Sequence, residues 1–367
     1  MSTRRSLAYA AGGLGAAALA AVATGVVVER RVVKARRAGA AQADRLGVLH
    51  SDAVDVTCDD GVVLHAEVDE VAPYADSKTA RRRKPREDVT LVFAHGYALN
   101  LDCWHFQREA FRGKHRMAFY DQRSHGRSQR GDREHATIDQ LGDDLARVIE
   151  TVAPKGKVVL IGHSMGGMSV IAFAERHHEM FRKRVSGVAL VSTTAGGLQP
   201  HRTVSRWIPD NVGALVAPRV IAALAKAPEL VDSARRPGSN IGFLVADMFA
   251  FGRKDVPAAE VEFLDEMLAG TKFDVLAEFF PNFTQLDKFE HLATLSSVPT
   301  TIICGTKDKL TSVGQSRKMA GMIDGARLVE APGAGHLVIF ESRDLVNAAL
   351  EQLVTAAQRY APSARAR

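Results

Sequence analysis

Residues 157–167 read KVVLIGHSMGG, and they constrain the rest of the chain more than any other stretch. Val158, Val159, Leu160 and Ile161 form a short continuous apolar run, the pattern of a strand buried on both faces of a parallel sheet. Gly162-His163-Ser164-Met165-Gly166 follows, a Gly-x-Ser-x-Gly elbow, and then a helix-like segment with Met168, Val170, Ile171 and Phe173. A strand that turns into a helix this sharply leaves no room for side chains beside the serine, hence the glycines. The turn would hold Ser164 in a strained conformation, present its hydroxyl at the carboxyl end of the sheet, and set a helix amino terminus beneath any developing negative charge. A chance Gly/Ser turn is the alternative. The flanking strand and helix argue against it, provided that a base and an acid lie downstream.

Both partners have candidates. Ile302-Ile303-Cys304-Gly305-Thr306-Lys307-Asp308 reads as a buried strand ending in a loop with a carboxylate. Ala331-Pro332-Gly333-Ala334-Gly335-His336 is a Gly-rich loop delivering a histidine before the final helix. A serine hydroxyl is a weak nucleophile at neutral pH and needs a base that a third group orients. Ser164, His336 and Asp308 fill these roles in the order Ser, Asp, His. The other position for an acid, after the strand at 187–191, holds Ser192-Thr193-Thr194 and no carboxylate. For the tetrahedral oxyanion, the backbone N–H of Met165 is one expected donor and that of Tyr97, in the His95-Gly96-Tyr97 turn, the second. His95 is expected to brace this turn, Asp121 and Arg123 to brace theirs as a pair, and Trp104 to pack near the pocket mouth.

The blocks HGYALNLDCW, DQRSHGRS, GHSMGG, CGTKD and GAGH together resemble the α/β-hydrolase superfamily, in its esterase, lipase, perhydrolase and C–C hydrolase group. The resemblance spans about residues 54–358, is weak between 196 and 292, and selects no substrate. It implies the α/β-hydrolase fold, a mostly parallel sheet flanked by helices with an inserted helical cap, and the same roles for Ser164, Asp308, His336, Tyr97 and Met165. Haloalkane dehalogenases and epoxide hydrolases carry Asp at the elbow, and no tyrosine lies between 196 and 292 to protonate an epoxide, so both chemistries are disfavoured.

The regular alternation of strands and helices from residue 89 predicts a βαβ sheet domain over 54–195 and 293–358, opened by a hairpin around Asp59-Asp60-Gly61. Strands are expected at 90–93, 117–120, 187–191 and 300–304, and a helix over 138–152. Residues 196–292 show only helix-like stretches (214–225, 241–251, 258–269, 275–280) and are read as the cap over the catalytic edge. Nine of the sixteen phenylalanines fall there, among them Phe251, Phe263, Phe279 and Phe283, and a few are expected to line an apolar substrate pocket. Residues 41–53 read as a linker and 359–367 as a tail.

Charge bears on partners. The chain carries a formal +6, but residues 1–40 hold seven Lys/Arg against Glu29 alone, so residues 41–367 are neutral and give no electrostatic footprint for nucleic acid. Residues 6–28 are uncharged and long enough to span a bilayer core of about 30 Å. They read as a membrane anchor, with a cleaved signal or a soluble Ala-rich helix as alternatives. Five Lys/Arg after the stretch against two before it would place the catalytic domain in the cytoplasm; signal cleavage would make the protein secreted. The run ARRRKPR at 80–86 is expected to be a solvated loop, with anionic lipid as the sharper alternative. Cys58, Cys103 and Cys304 are widely spaced, so neither a disulfide framework nor a zinc site is expected, and no cofactor is called for. The expected substrate is a small lipophilic ester, cleaved through an acyl-enzyme. Thioester, C–C bond or peracid chemistry on the same residues, or a non-catalytic binding module, are the alternatives.

Overall fold

A computed structural model describes residues 46–71, 89–198, 226, 228–235 and 250–360. The expected anchor, the basic run at 80–86 and the helix-like stretches at 214–225 and 241–249 lie outside the described residues. Eight strands form one sheet: β1 (Ala53–Thr57), β2 (Val63–Asp69), β3 (Val89–Ala94), β4 (Arg116–Tyr120), β5 (Lys157–His163), β6 (Val185–Val191), β7 (Thr300–Gly305) and β8 (Arg327–Ala331). Their order is β1-β2-β4-β3-β5-β6-β7-β8. The first two strands form the expected hairpin and join β4 antiparallel, and all later pairings are parallel.

The helices are α1 (His105–Phe111), α2 (Ile138–Val152), α3 (Met165–Arg176), α4 (His178–Arg184), α5 (Pro228–Ala234), α6 (Ala258–Gly270), α7 (Phe273–Gln285), α8 (Val313–Met322), α9 (Val338–Glu341) and α10 (Arg343–Arg359). Alternation along the strands sends side chains to opposite faces. Leu91, Phe93, Val159, Ile161 and Ile303 enter one apolar cluster with α1, α6 and α10, whereas Val92, Leu160, Leu190 and Ile302 enter another with α2, α3 and α8. Covering both faces is what makes β3, β5, β6 and β7 continuous apolar runs. Helix α2 starts where Thr137 accepts a hydrogen bond from the Gln140 N–H at 3.1 Å, an N-cap that fixes the expected boundary.

Between β6 and β7 the described residues form helices α5, α6 and α7 and no strand. The way in and the way out are joined by a bridge between Gly196 and Asp287. Helix α7 runs through Pro281, beyond the expected end at 280. Val275, Phe279 and Phe283 recur every four residues on its buried face, and their burial offsets the backbone hydrogen bond that the proline removes. Strand β8 was not expected. RLVEA sits at the sheet edge, mostly half-exposed, and lacks the apolar run that marks the central strands.

Candidate active site

The parallel strands end on one edge of the sheet, where their loops converge. At the end of β5, Ser164 has φ 52° and ψ −118°, the strained geometry expected of the elbow. The glycines are obligatory there: a Cβ on Gly162 would lie 2.4 Å from the Gly166 carbonyl oxygen, and one on Gly166 would lie 2.1 Å from that of Ala94. The Ser164 N–H donates to Val191 at 2.9 Å and its carbonyl accepts from the Thr193 hydroxyl at 2.6 Å, so β6 holds the turn from the side.

His336 is buried, with Nε2 2.9 Å from Ser164 Oγ and Nδ1 2.9 Å from Asp308 Oδ2. Asp308 follows β7 on a tight turn. Its Oδ1 accepts from the Leu310 and Thr311 N–H groups at 2.8 and 2.9 Å, and its Oδ2 also accepts from the Thr311 hydroxyl at 2.8 Å. Burial alone would raise the Asp308 pKa, but the neighbouring His336 and these hydrogen bonds together hold it below the usual carboxylate value. A carboxylate against Nδ1 selects the tautomer that leaves Nε2 free to accept the serine proton. Sequence reasoning named these three residues but missed Thr311, which nothing in its spacing distinguishes.

Met165 opens α3, so its N–H has no carbonyl one turn back. Gly96 brings the other expected donor close: a Cβ there would lie 3.1 Å from Ser164 Cβ, and Tyr97 is the next residue. The Tyr97 hydroxyl donates to the Leu276 carbonyl of α7 at 2.5 Å, and its ring meets Phe283 edge-on.

Three buried histidines support this turn. His95 Nε2 accepts from the Gln122 N–H at 2.9 Å while Nδ1–H donates to the Gly96 carbonyl at 2.7 Å, which is the expected bracing. Gln122 in turn donates to the His95 carbonyl and accepts from Ser169 of α3. His163 Nε2–H donates to the His336 carbonyl at 3.0 Å. Burial drives the pKa of His95 and His163 down to about 3 and that of His125 to about 4, so all three are neutral near pH 7. Neither Gln122 nor His163 was foreseen in this role.

Asp121 and Arg123 do brace loops, but not as a pair. Arg123 binds Asp144 and Asp60, because its side chain points to the opposite side of the turn. Asp121 instead accepts from the N–H groups of Leu101 and Arg127 at 2.7 and 2.8 Å. Burial raises its pKa from 3.8 to about 6, so the folded protein holds this proton more tightly than the unfolded chain does. That contribution to stability is complete below pH 4 and lost as pH rises through 6. Asp121→Asn removes the titration, so the melting-temperature advantage of the parent over the variant should shrink steadily between pH 4 and 7. A difference that does not vary with pH would show that this carboxyl does not titrate there.

Above Ser164 and His336 lies a cavity of about 400 Å³. Leu99, Leu264, Leu268, Leu276, Leu310 and Leu337 form its apolar walls, with Arg235 and Asp265 among the polar lining. No described phenylalanine lines it. Phe251 and Phe263 pack into the core beside Phe340, and Phe279 and Phe283 of α7 pack against Leu141 of α2 and Met168 of α3, because these rings fill the space between the inserted helices and the sheet domain. Trp104 is also displaced from its expected place at the mouth. It is fully buried beneath the site, edge-on to Phe93 and to His163, where its large ring fills the core.

Residues 91–349 match the model of the alpha/beta hydrolase family. The chain belongs to that family. The putative carbamate hydrolase RutD of Caulobacter sp. (strain K31) is 25% identical over 71% of this hydrolase and 88% of its own length. The non-heme chloroperoxidase of Streptomyces lividans is 26% identical over 72% and 90%. Among solved structures, a thermophilic esterase from Thermogutta terrifontis superposes with a TM-score of 0.63 at 23% identity, covering 84% of this chain and all of that one. Among the described residues the hydrolase has no group of three or more His, Cys, Asp or Glu placed to hold a metal ion, and no helix long and apolar enough to cross a membrane. Its three cysteines are buried and free.

Proposed function

We propose that this hydrolase cleaves carboxylic esters with a lipophilic acyl group, through an acyl-enzyme on Ser164. The observation that carries the reading is the unbroken hydrogen-bonded chain Ser164–His336–Asp308 at the floor of a leucine-walled cavity. His336 Nε2 would take the Ser164 proton as Oγ attacks the ester carbonyl, and Asp308 would stabilise the imidazolium. The Tyr97 and Met165 N–H groups would receive the oxyanion. As the intermediate collapses, the C–O bond breaks and His336 returns the proton to the departing alcohol. Water, deprotonated by the same nitrogen, then releases the acid.

The cavity sets an expectation for chain length. Each methylene buried against the leucines contributes about 0.8 kcal/mol, or roughly fourfold in kcat/KM, until the space is full. Across p-nitrophenyl esters from acetate upward, kcat/KM should therefore rise, pass a maximum at intermediate length and fall. Acetate as the best substrate would overturn the lipophilic assignment. Similarity to an enzyme named a chloroperoxidase favours a second reading, in which hydrogen peroxide replaces water as acceptor and the product is a peracid. Peracid formation from the same esters, measured with and without peroxide, separates the two.

A further inference from the structure

The loop that carries His336 does not stand alone. Against it lie residues 250–253, the segment of the insertion that leads into α6, in contact so close that a Cβ on Gly252 would sit 2.5 Å from the Gly335 nitrogen. Placed on Gly335 it would sit 2.3 Å from the Gly252 nitrogen. The residue after the base is tied to this segment directly, Leu337 N–H donating to the Ala250 carbonyl at 3.0 Å. The residue before the base is tied to it through one side chain. Glu341 Oε1 accepts from the Gly335 N–H at 2.5 Å, while its Oε2 accepts from the Gly252 and Arg253 N–H groups at 3.0 and 2.8 Å. The carboxylate is half-buried on α9, whose Ile339 and Phe340 are locked in the core.

We propose that Glu341 is a positioning residue, a clamp that fixes His336 by fastening its loop to the segment of the helical insertion that leads into α6. Three backbone donors converge on a single carboxylate, and charge-assisted bonds of this kind are stronger than neutral ones. Loosening them frees Gly335, and with it the imidazole, while the Ser164 elbow and the cavity walls on α6 and α7 stay in place. Ala250 and Leu337 line the cavity, so an acyl chain seated there presses on the same junction. The inference rests on the reading of Ser164 and His336 as nucleophile and base.

Purified full-length parent, Glu341→Gln and Glu341→Ala should be titrated with a fluorophosphonate to count working sites, and kcat and KM measured per titrated site on a p-nitrophenyl ester. Glutamine keeps the shape and one acceptor oxygen but turns an amide N–H₂ toward backbone donors. A base displaced by about 1 Å costs on the order of 10²-fold. The expectation is a 10- to 100-fold lower kcat per site in both variants, slower labelling, and KM within about threefold of the parent. A purely structural residue would lower the number of sites and leave kcat per site unchanged, and that outcome overturns the clamp. So does the absence of titratable sites in both variants, which marks Glu341 as a folding residue. A parent that neither labels nor hydrolyses esters removes the functional reading itself, and the clamp falls with it; an active parent with variants normal per site removes the clamp alone.

Discussion

Ser164→Ala should lower ester turnover by a factor on the order of 10⁴–10⁶ while leaving the fold intact. A residual rate over water remains in such variants because the oxyanion donors and the binding cavity survive. Stability should change little, within about 0.5 kcal/mol, because the serine side chain is only partly buried and its hydroxyl bonds to His336 alone among the contacts that hold the elbow. The elbow itself depends on Gly162 and Gly166 and on backbone bonds to β6, none of which the substitution touches. The decisive comparison is fluorophosphonate labelling and ester hydrolysis in parent and variant at matched unfolding midpoints. Turnover within tenfold of the parent would remove Ser164 as nucleophile.

Asp308→Asn should be nearly as severe, with kcat down by on the order of 10⁴. The reason is the tautomer. Asp308 is saturated with donors from Leu310, Thr311 and His336. An asparagine must turn either its amide nitrogen toward His336 or the same nitrogen toward the backbone N–H groups of the loop. In the first arrangement Nδ1 becomes an acceptor, the proton moves to Nε2, and the imidazole can no longer accept from Ser164. KM should change much less than kcat, because Asp308 does not line the cavity. Near-normal kcat in this variant, with loss of activity on replacing another carboxylate, would reassign the acid.

The elbow and the meeting of Ser164, His336 and Asp308 were legible in the sequence because each stands at a strand end in a short motif whose spacing is dictated by local geometry. The helix at 138–152 was legible for the same reason, its apolar periodicity being local. What was not legible depends on partners far along the chain. Nothing in RLVEA distinguishes an edge strand from a loop until β7 lies beside it. Trp104 and the phenylalanines were known to be apolar, but whether an aromatic ring faces a cavity or a core is decided by the shapes around it. Arg123 was read with the carboxylate two residues away, whereas its partners lie on α2 and in the β1–β2 turn. Glu341 looks in the sequence like any charge at a helix end. Its role appears only when residues 250–253 are seen against Gly335.

The order in which the site is completed has a consequence for how the molecule is made. His336 lies 172 residues beyond Ser164, and β7 pairs with β6 only after the whole insertion has been synthesised. At roughly 5–20 residues per second, ribosomes would take about 10–30 s to cross that interval. During it the elbow of a nascent chain can form, but Ser164 has no His336 beside it and, on the proposed mechanism, is chemically idle. Over the same interval β6, whose residues are all buried in the finished sheet, presents an open edge to solvent or to a chaperone. A chain truncated anywhere in the insertion would therefore be inert as a hydrolase and prone to aggregate, so that quality control disposes of a sticky fragment rather than of a rogue hydrolase.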